Sequence, residues 1–438
     1  MAKRRRRAIL LSVVFVTVAA VLLILLVRYR RIAPDVISET DTGTLTIGVD
    51  EARPRLCVSE NGILYGKNQL IYYVDLATKT EYVLCDEINC THLTSRCSAR
   101  YGDKMRGLAQ HGNRIYLFDQ SMNGDCRLIR MDTSGNQRKT LAEFPQGDFT
   151  PGSRYLYYVY NAYYCGNYAW AELYYGYMEE DGKETQQIQC VAVDLESGEV
   201  TELTPLEDIG VRYQFVAITE DYVMIYKGWN EHSADAMEAY LLYDVKEQKL
   251  TQLEENPQQI LYNADGTLNG TMPKYSFYGS YEGDFLFSEM DWDSFIRDMY
   301  HYDTIFQVWD PKTNQKEVLC TLENGGPMSV NDSDMSDNVF DGDQILIMEY
   351  QGTGDSVGEM DVEICLLHLS DGSMEMLFED TSQVEFPISG WTSDSFIGTT
   401  QRSEDLYSPT DVYVIQKEDY YQGKTDRAEY LFTLPAVD

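Results

Sequence analysis

Residues 190–203 read CVAVDLESGEVTEL. An apolar run from Cys190 to Val193 meets a turn from Asp194 to Gly198, and a short stretch with alternate apolar residues follows. An apolar run, an Asp-to-Gly turn and a second alternating run are the marks of a β-hairpin. The same pattern recurs along the chain as IYYVDLATKTEYVL from 71, LIRMDTSGNQRKTL from 128, YLLYDVKEQKLTQL from 240, FQVWDPKTNQKEVL from 306, LLHLSDGSMEML from 366 and DVYVIQKEDY from 411.

Each copy is preceded by a polar turn and another apolar or aromatic strand: NGILYGK at 61, GNRIYLF at 112, GSRYLYYV at 152, EDYVMIY at 220, GDFLFSE at 283, GDQILIME at 342 and SDSFIGT at 393. These opening strands recur about every 55 residues, somewhat long for a four-stranded repeat, and inserted loops at 161–189 and 227–239 account for the excess. A small sheet has two apolar faces that only neighbours on both sides can cover, so serial repetition of this kind predicts an all-β ring. The expectation is a β-propeller over residues 56–438 with seven blades. Six or eight are the alternatives, because the last unit is weak and TLTIGV at 44–49 could supply a closing strand. A pair of β-sandwiches is the other architecture, and no break splits the series into two halves.

The aromatic strand, the VDLxTG-like turn and the following xxxL strand resemble the bacterial surface propellers related to the low-density-lipoprotein-receptor type and the Tol-B type. YYVD at 72–75 and QVWD at 307–310 stand nearest to the receptor-type YWTD tetrapeptide, which is absent. The resemblance covers most of the body and implies a binding or scaffold role, in a family with some membrane-tethered members.

Ahead of the repeats, AILLSVVFVTVAAVLLILLV at 8–27 is an apolar run with Ser12 and Thr17 as its only polar side chains. Twenty residues at about 1.5 Å each match the hydrocarbon thickness of a bilayer, so the run reads as a single transmembrane helix. Lys3 and Arg4 to Arg7 precede it, against Arg28, Arg30 and Arg31 behind it, which predicts a cytoplasmic tail at 1–7. A cleaved signal peptide would need a small-residue site where RYRR stands, so the segment reads as an uncleaved signal anchor in the plasma membrane. Residues 28–55 are then a stalk, and the body is extracytoplasmic.

The 438 residues carry 35 basic and 71 acidic side chains, a net charge of −36, which excludes a general nucleic-acid binder. With 44% hydrophobic and 24% charged residues the composition is globular. The acidic body favours solubility and cationic partners. No G-x-S-x-G elbow, phosphate loop, H-E-x-x-H helix or dinucleotide fingerprint is present. The chain therefore reads as a binding or scaffold protein for a peptide, protein or glycan. The alternative is a glycan hydrolase or lyase whose paired carboxylates meet in the central channel.

Three local features carry candidate chemistry. CDEINCTHLTSRC places Cys85, Cys90, His92 and Cys97 in a C-x4-C-x-H-x4-C array, enough for a tetrahedral structural Zn site or, outside the cytoplasm, for a disulfide staple. YLYYVYNAYYCGNYAWAELYYGY at 155–177 holds ten tyrosines; its first part reads as a strand and its remainder as an insertion. Tyr163, Tyr164, Tyr168, Trp170, Tyr174 and Tyr175 of that insertion are candidate ligand contacts, since flat amphipathic rings stack on sugars and grip peptides. NDSDMSDNVFDGD at 331–343 spaces acids like a calcium loop, but Asp337 stands where an EF-hand needs Gly, so it reads as a solvated turn. Asp291 and Asp293 form a short DxD, and Asn89, Asn269 and Asn331 open N-x-[ST] sequons relevant only in a eukaryotic secretory pathway.

Overall fold

The computed structural model describes residues 43, 45–50, 56–85, 87, 90–94, 96–121, 125–206, 211–229, 237–257, 259–262, 268–272, 275–291, 294, 303–322, 339–352, 360–378, 388–402 and 408–435. The expected anchor at 8–27, most of the acidic stretch at 331–343, Asp293, Asn89 and Asn331 lie outside them. Among the described residues no helix is long and apolar enough to cross a membrane.

The body is an all-β propeller. Antiparallel meanders of four strands follow one another in chain order, beginning with Cys57–Ser59, Gly62–Lys67, Leu70–Asp75 and Thr80–Val83. The second meander spans 104–144, and three more, at 275–322, 339–378 and 388–434, are likewise separate four-stranded sheets. Between them lies a nine-stranded sheet made of a third meander, 154–202, and a fourth, 211–257, with a short strand Thr46–Ile47 at its edge. Its two meanders meet through a single parallel pairing, Ile188 with Arg212.

The core sits at the seams between consecutive meanders. Leu64, Ile71 and Leu84 pack against Leu108, Ile115 and Met131 at the first seam. Phe118, Leu128 and Phe144 meet Leu156, Ala171 and Val191 at the next. Among the described residues no strand pairing closes the ring; Ile63, Tyr65 and Val74 of the first meander bury against Ile397, Val412 and Phe432 of the last. Tyr65 stacks on Phe432 at 5.1 Å, and Ser393 donates from its backbone N–H and its hydroxyl to Glu60. Each separate four-stranded sheet uses only consecutive strands, so TLTIGV is not a closing strand of the last one. Ile47 and Thr46 instead pair antiparallel with Tyr163 and Tyr164, and Val49 bridges Leu108. The residues 45–50 of the expected stalk thus lie along the first strands of the second and third meanders. Gly48 is required there, because a Cβ would stand 2.6 Å from the Gly107 Cα.

The recurrent Asp is a turn device. Asp75, Asp194, Asp244 and Asp310 each accept a backbone N–H from two or three residues ahead, at 2.7 to 2.8 Å. Four residues past these aspartates the chain is left-handed, at Lys79, Gly198, Gln248 and Asn314. Side-chain capture of the turn N–H groups and one left-handed residue together make the tight reversal.

Two sequence expectations change. Six of the seven presumed opening strands are second strands of their meanders, as at Gly62–Lys67 and Arg114–Gln120. True first strands such as Lys104–His111 and Val211–Ile218 carry β-bulges that break the period-2 pattern. Residues 161–189 are not an insertion: Arg154–Cys165, Tyr168–Met178 and Glu184–Asp194 are long consecutive strands of the third meander. Tyrosine suits a pleated surface, and neighbouring meanders bury both faces of these strands around Tyr163, Tyr164 and Trp170.

Candidate functional site

The four metal-ligand candidates converge. One atom each from Cys85, Cys90, His92 and Cys97 lies within 4.8 Å of every other, so the cluster could hold a metal ion. Cys85 follows the last strand of the first meander, whose end is held where Leu84 donates its N–H to the Ile71 carbonyl at 2.9 Å. Tight turns then direct the chain inward, with the Cys90 N–H on the Glu87 carbonyl at 3.2 Å and the Cys97 N–H on the Thr94 carbonyl at 3.0 Å. His92 is left-handed at φ 57°, and its Nδ1 stands 3.3 Å from Cys97 Sγ. The loop returns to the sheet through the Ile71 N–H on the Ala99 carbonyl, 2.9 Å.

Cys97 is buried, and burial pushes its thiol up to about 12 against the hydrogen bond from the Ala99 N–H. None of the nine cysteines is in a disulfide, and Cys190 and Cys365 are buried within strands. Arg138, from the second meander, donates to the Ser98 carbonyl at 3.0 Å, to the Arg100 carbonyl, and to Asp119 Oδ2 at 2.9 Å. The Gly102 N–H reaches the other oxygen of Asp119 at 2.6 Å. The cluster thus sits on a loop bound to both of the meanders it connects.

The aromatic candidates divide. Tyr163, Tyr164 and Trp170 are at most 1% exposed and belong to the core, where Trp170 meets Phe215 and Tyr243 edge-on. They present no surface to a ligand, because the neighbouring meanders cover this part of their strands. Tyr168 is half-buried against Trp170. Tyr175 packs on the seam between the second and third meanders, where burial pushes its hydroxyl up to about 12. Tyr174 alone of the six joins a chain of rings at the surface.

That chain was hidden in the first half of the tyrosine run and in a loop before it. Phe149, 58% exposed, stands edge-on to Tyr155 at 4.2 Å, and Tyr155 meets Tyr157 at 4.3 Å. Tyr157 lies 5.5 Å from Tyr174, which stacks on Tyr158 at 5.0 Å and approaches Tyr160 at 6.4 Å. The Arg106 guanidinium covers the Tyr158 ring at 4.9 Å while pairing with Asp50 at 2.6 Å. Tyr157 donates to Glu184, and burial with that hydrogen bond raises its hydroxyl pKa. Asp50 also accepts from the Gly107 N–H at 3.0 Å, so this carboxylate is committed to structure. Glu172, fully buried, is bound too, accepting from the Phe215 N–H at 2.7 Å and from Asn161 at 2.9 Å.

No protein-family model matches the chain, and no curated protein matches it. Among solved structures it is similar to an oligogalacturonate lyase from Vibrio parahaemolyticus, at 10% identity over 88% of this chain and 96% of that one, with a TM-score of 0.44. It is similar to TolB from Acinetobacter baumannii at 12% identity, covering 83% and 77% of the two chains with a TM-score of 0.32. For prolyl oligopeptidase B from Galerina marginata the figures are 11% identity, 91% and 52% coverage and a TM-score of 0.48, so this chain spans about half of that enzyme. None of these likenesses assigns an activity to this chain.

Proposed function

We propose that the protein is a membrane-anchored, extracytoplasmic binding propeller that recognises a peptide, protein or glycan on the ring chain from Phe149 to Tyr160. The aromatic ladder, exposed at Phe149 and half-buried at Tyr157, Tyr158, Tyr160 and Tyr174, carries the reading. Rings that pack on one another and keep part of their surface in solvent offer flat contact area at little entropic cost. Phe149, 58% exposed, meets buried Tyr155 edge-on, and half-buried Tyr157, Tyr158 and Tyr174 continue the ladder from there.

The apolar run at 8–27 is the anchor in this reading, with residues 1–7 cytoplasmic and the propeller outside the plasma membrane. The propeller has seven blades, counting the two meanders of the nine-stranded sheet separately because one pairing joins them. The metal that the Cys/His cluster could hold serves structure, since a closed four-ligand shell leaves no coordination position for a substrate.

The test uses the full chain in detergent on arrays of peptides and glycans. A ligand retained by the native protein and lost, by tenfold or so in affinity, in Tyr174→Ala and Phe149→Ala is the expected result. No retained ligand, or retention untouched by both substitutions, overturns the assignment. Fractionation of cells with protease added outside tests the anchor separately.

A further inference from the structure

We propose that Cys85, Cys90, His92 and Cys97 bind one zinc ion in a closed Cys3His shell, and that the ion clamps the seam between the first and second meanders. The geometry is nearly that of an occupied site. Tetrahedral zinc with Zn–S bonds of about 2.3 Å and Zn–N bonds of about 2.0 Å sets its ligand atoms roughly 3.5–3.8 Å apart. Here all four atoms already lie within 4.8 Å of one another, and His92 Nδ1 is 3.3 Å from Cys97 Sγ. Among the described residues no other group of His, Cys, Asp and Glu converges in this way. The donor set selects the ion: three sulfurs and one imidazole suit zinc, whereas calcium and magnesium take oxygen.

A disulfide uses two of these groups and gives no reason for the other two to meet them. Occupation needs no oxidant. The three thiols lose their protons to solvent as the Zn–S bonds form, and the hydrated ion sheds its water.

What the ion holds is visible in the chain around it. Between Val83 and Lys104 the described residues form no strand or helix, a connection long enough to be uncommon unless something fixes it. The loop touches the first meander through Ile71 and Gln69, whose carbonyl accepts the Tyr101 N–H at 3.1 Å, and the second through Arg138. The ion would draw in its three bends, at Cys85, Cys90–His92 and Cys97, so that both sets of contacts are made at once. Coordination energy then becomes folding energy for this seam.

The experiment measures zinc and free thiols on the full chain purified in detergent from zinc-supplemented cells, comparing the native protein with Cys90→Ser, Cys97→Ser and a Cys320→Ser control. About one zinc per chain in the native protein and the control, falling at least fivefold in the two ligand variants, is expected. Because those variants can fail to fold, native protein stripped with a chelator is also reloaded with cobalt. Intense tetrahedral thiolate–cobalt absorption, and a thermal midpoint that drops on stripping and recovers with zinc, support the assignment. Absence of zinc with two of the cysteines blocked until reduction makes the loop a disulfide staple and overturns it. Zinc unchanged in both variants, or iron or copper in its place, overturns it as well.

Discussion

The first two seams of the ring are built on one contact and finished differently. At the second seam, Gly198 in the turn of the third meander lies under the outer strand of the second, where a Cβ would stand 2.2 Å from the Leu141 carbonyl oxygen. At the first seam Gly135 repeats this against Leu84, again at 2.2 Å. The outer strand at the second seam, Lys139–Phe144, has six residues; at the first, Thr80–Val83 has four and none of them is buried. A short strand with no fully buried residue gives the next meander little to pack on. The Cys/His loop and Arg138 supply at the first seam what strand length supplies at the second. Within one repeat, two copies of the same glycine contact are thus completed by different means.

The sharpest way to break this comparison is at the shared glycine. Gly198 has φ 83°, but Lys79, Gln248 and Asn314 hold the left-handed conformation with side chains, so conformation alone is affordable and crowding by the neighbouring carbonyl decides. Gly198→Ala should cost about 2–4 kcal/mol. Lys79→Gly should stay within about 1 kcal/mol of the native protein. Urea unfolding midpoints measure both, and equal effects would remove crowding as the cause.

The next largest effect separates the two seams. Arg138→Ala strips hydrogen bonds from the Ser98 and Arg100 carbonyls and the main cation from Asp119, which is 5% exposed. A loss of about 1.5–3 kcal/mol is expected, confined to the first seam. Hydrogen exchange should accordingly quicken at 84–103 and not at 190–203. Uniform quickening would mean that the seams are not independent.

The smallest effect concerns acid. Burial opposes charge at Asp194, but hydrogen bonds from the Ser197 backbone and hydroxyl outweigh it and hold the carboxyl below its ordinary value. Its contribution is therefore present above about pH 4 and lost as pH falls through the depressed folded value. Asp194→Asn should flatten the acid limb of the stability profile by less than about 1 kcal/mol, since the group is largely solvated. An unchanged limb would show that the turn draws nothing from the charge.

Much of this was legible in the residues. VDLESGE and its copies announce hairpins because turn chemistry is local: an Asp oxygen captures nearby N–H groups whatever surrounds it. The Cys/His array was legible for the same reason, with its four ligands inside thirteen residues. First strands were not, because a bulge such as that between Arg106 and Ala109 interrupts the alternation on which reading depends. The tyrosines misled for a related reason. Trp170 and Tyr163 have the composition of a binding surface, and only the meanders on either side make them core.

By itself, then, the sequence determined the all-β repeat, the turn that defines it and the set of thiols and imidazole on one connection, all short-range properties of the chain. Only the tertiary fold decided that residues 45–50 run along the first strands of the second and third meanders, that the ring closes through Tyr65 and Phe432, and that Phe149 and Tyr174 share a surface while Trp170 does not. Those outcomes depend on which faces meet across tens or hundreds of residues, and burial belongs to the pair of surfaces and not to either stretch of sequence.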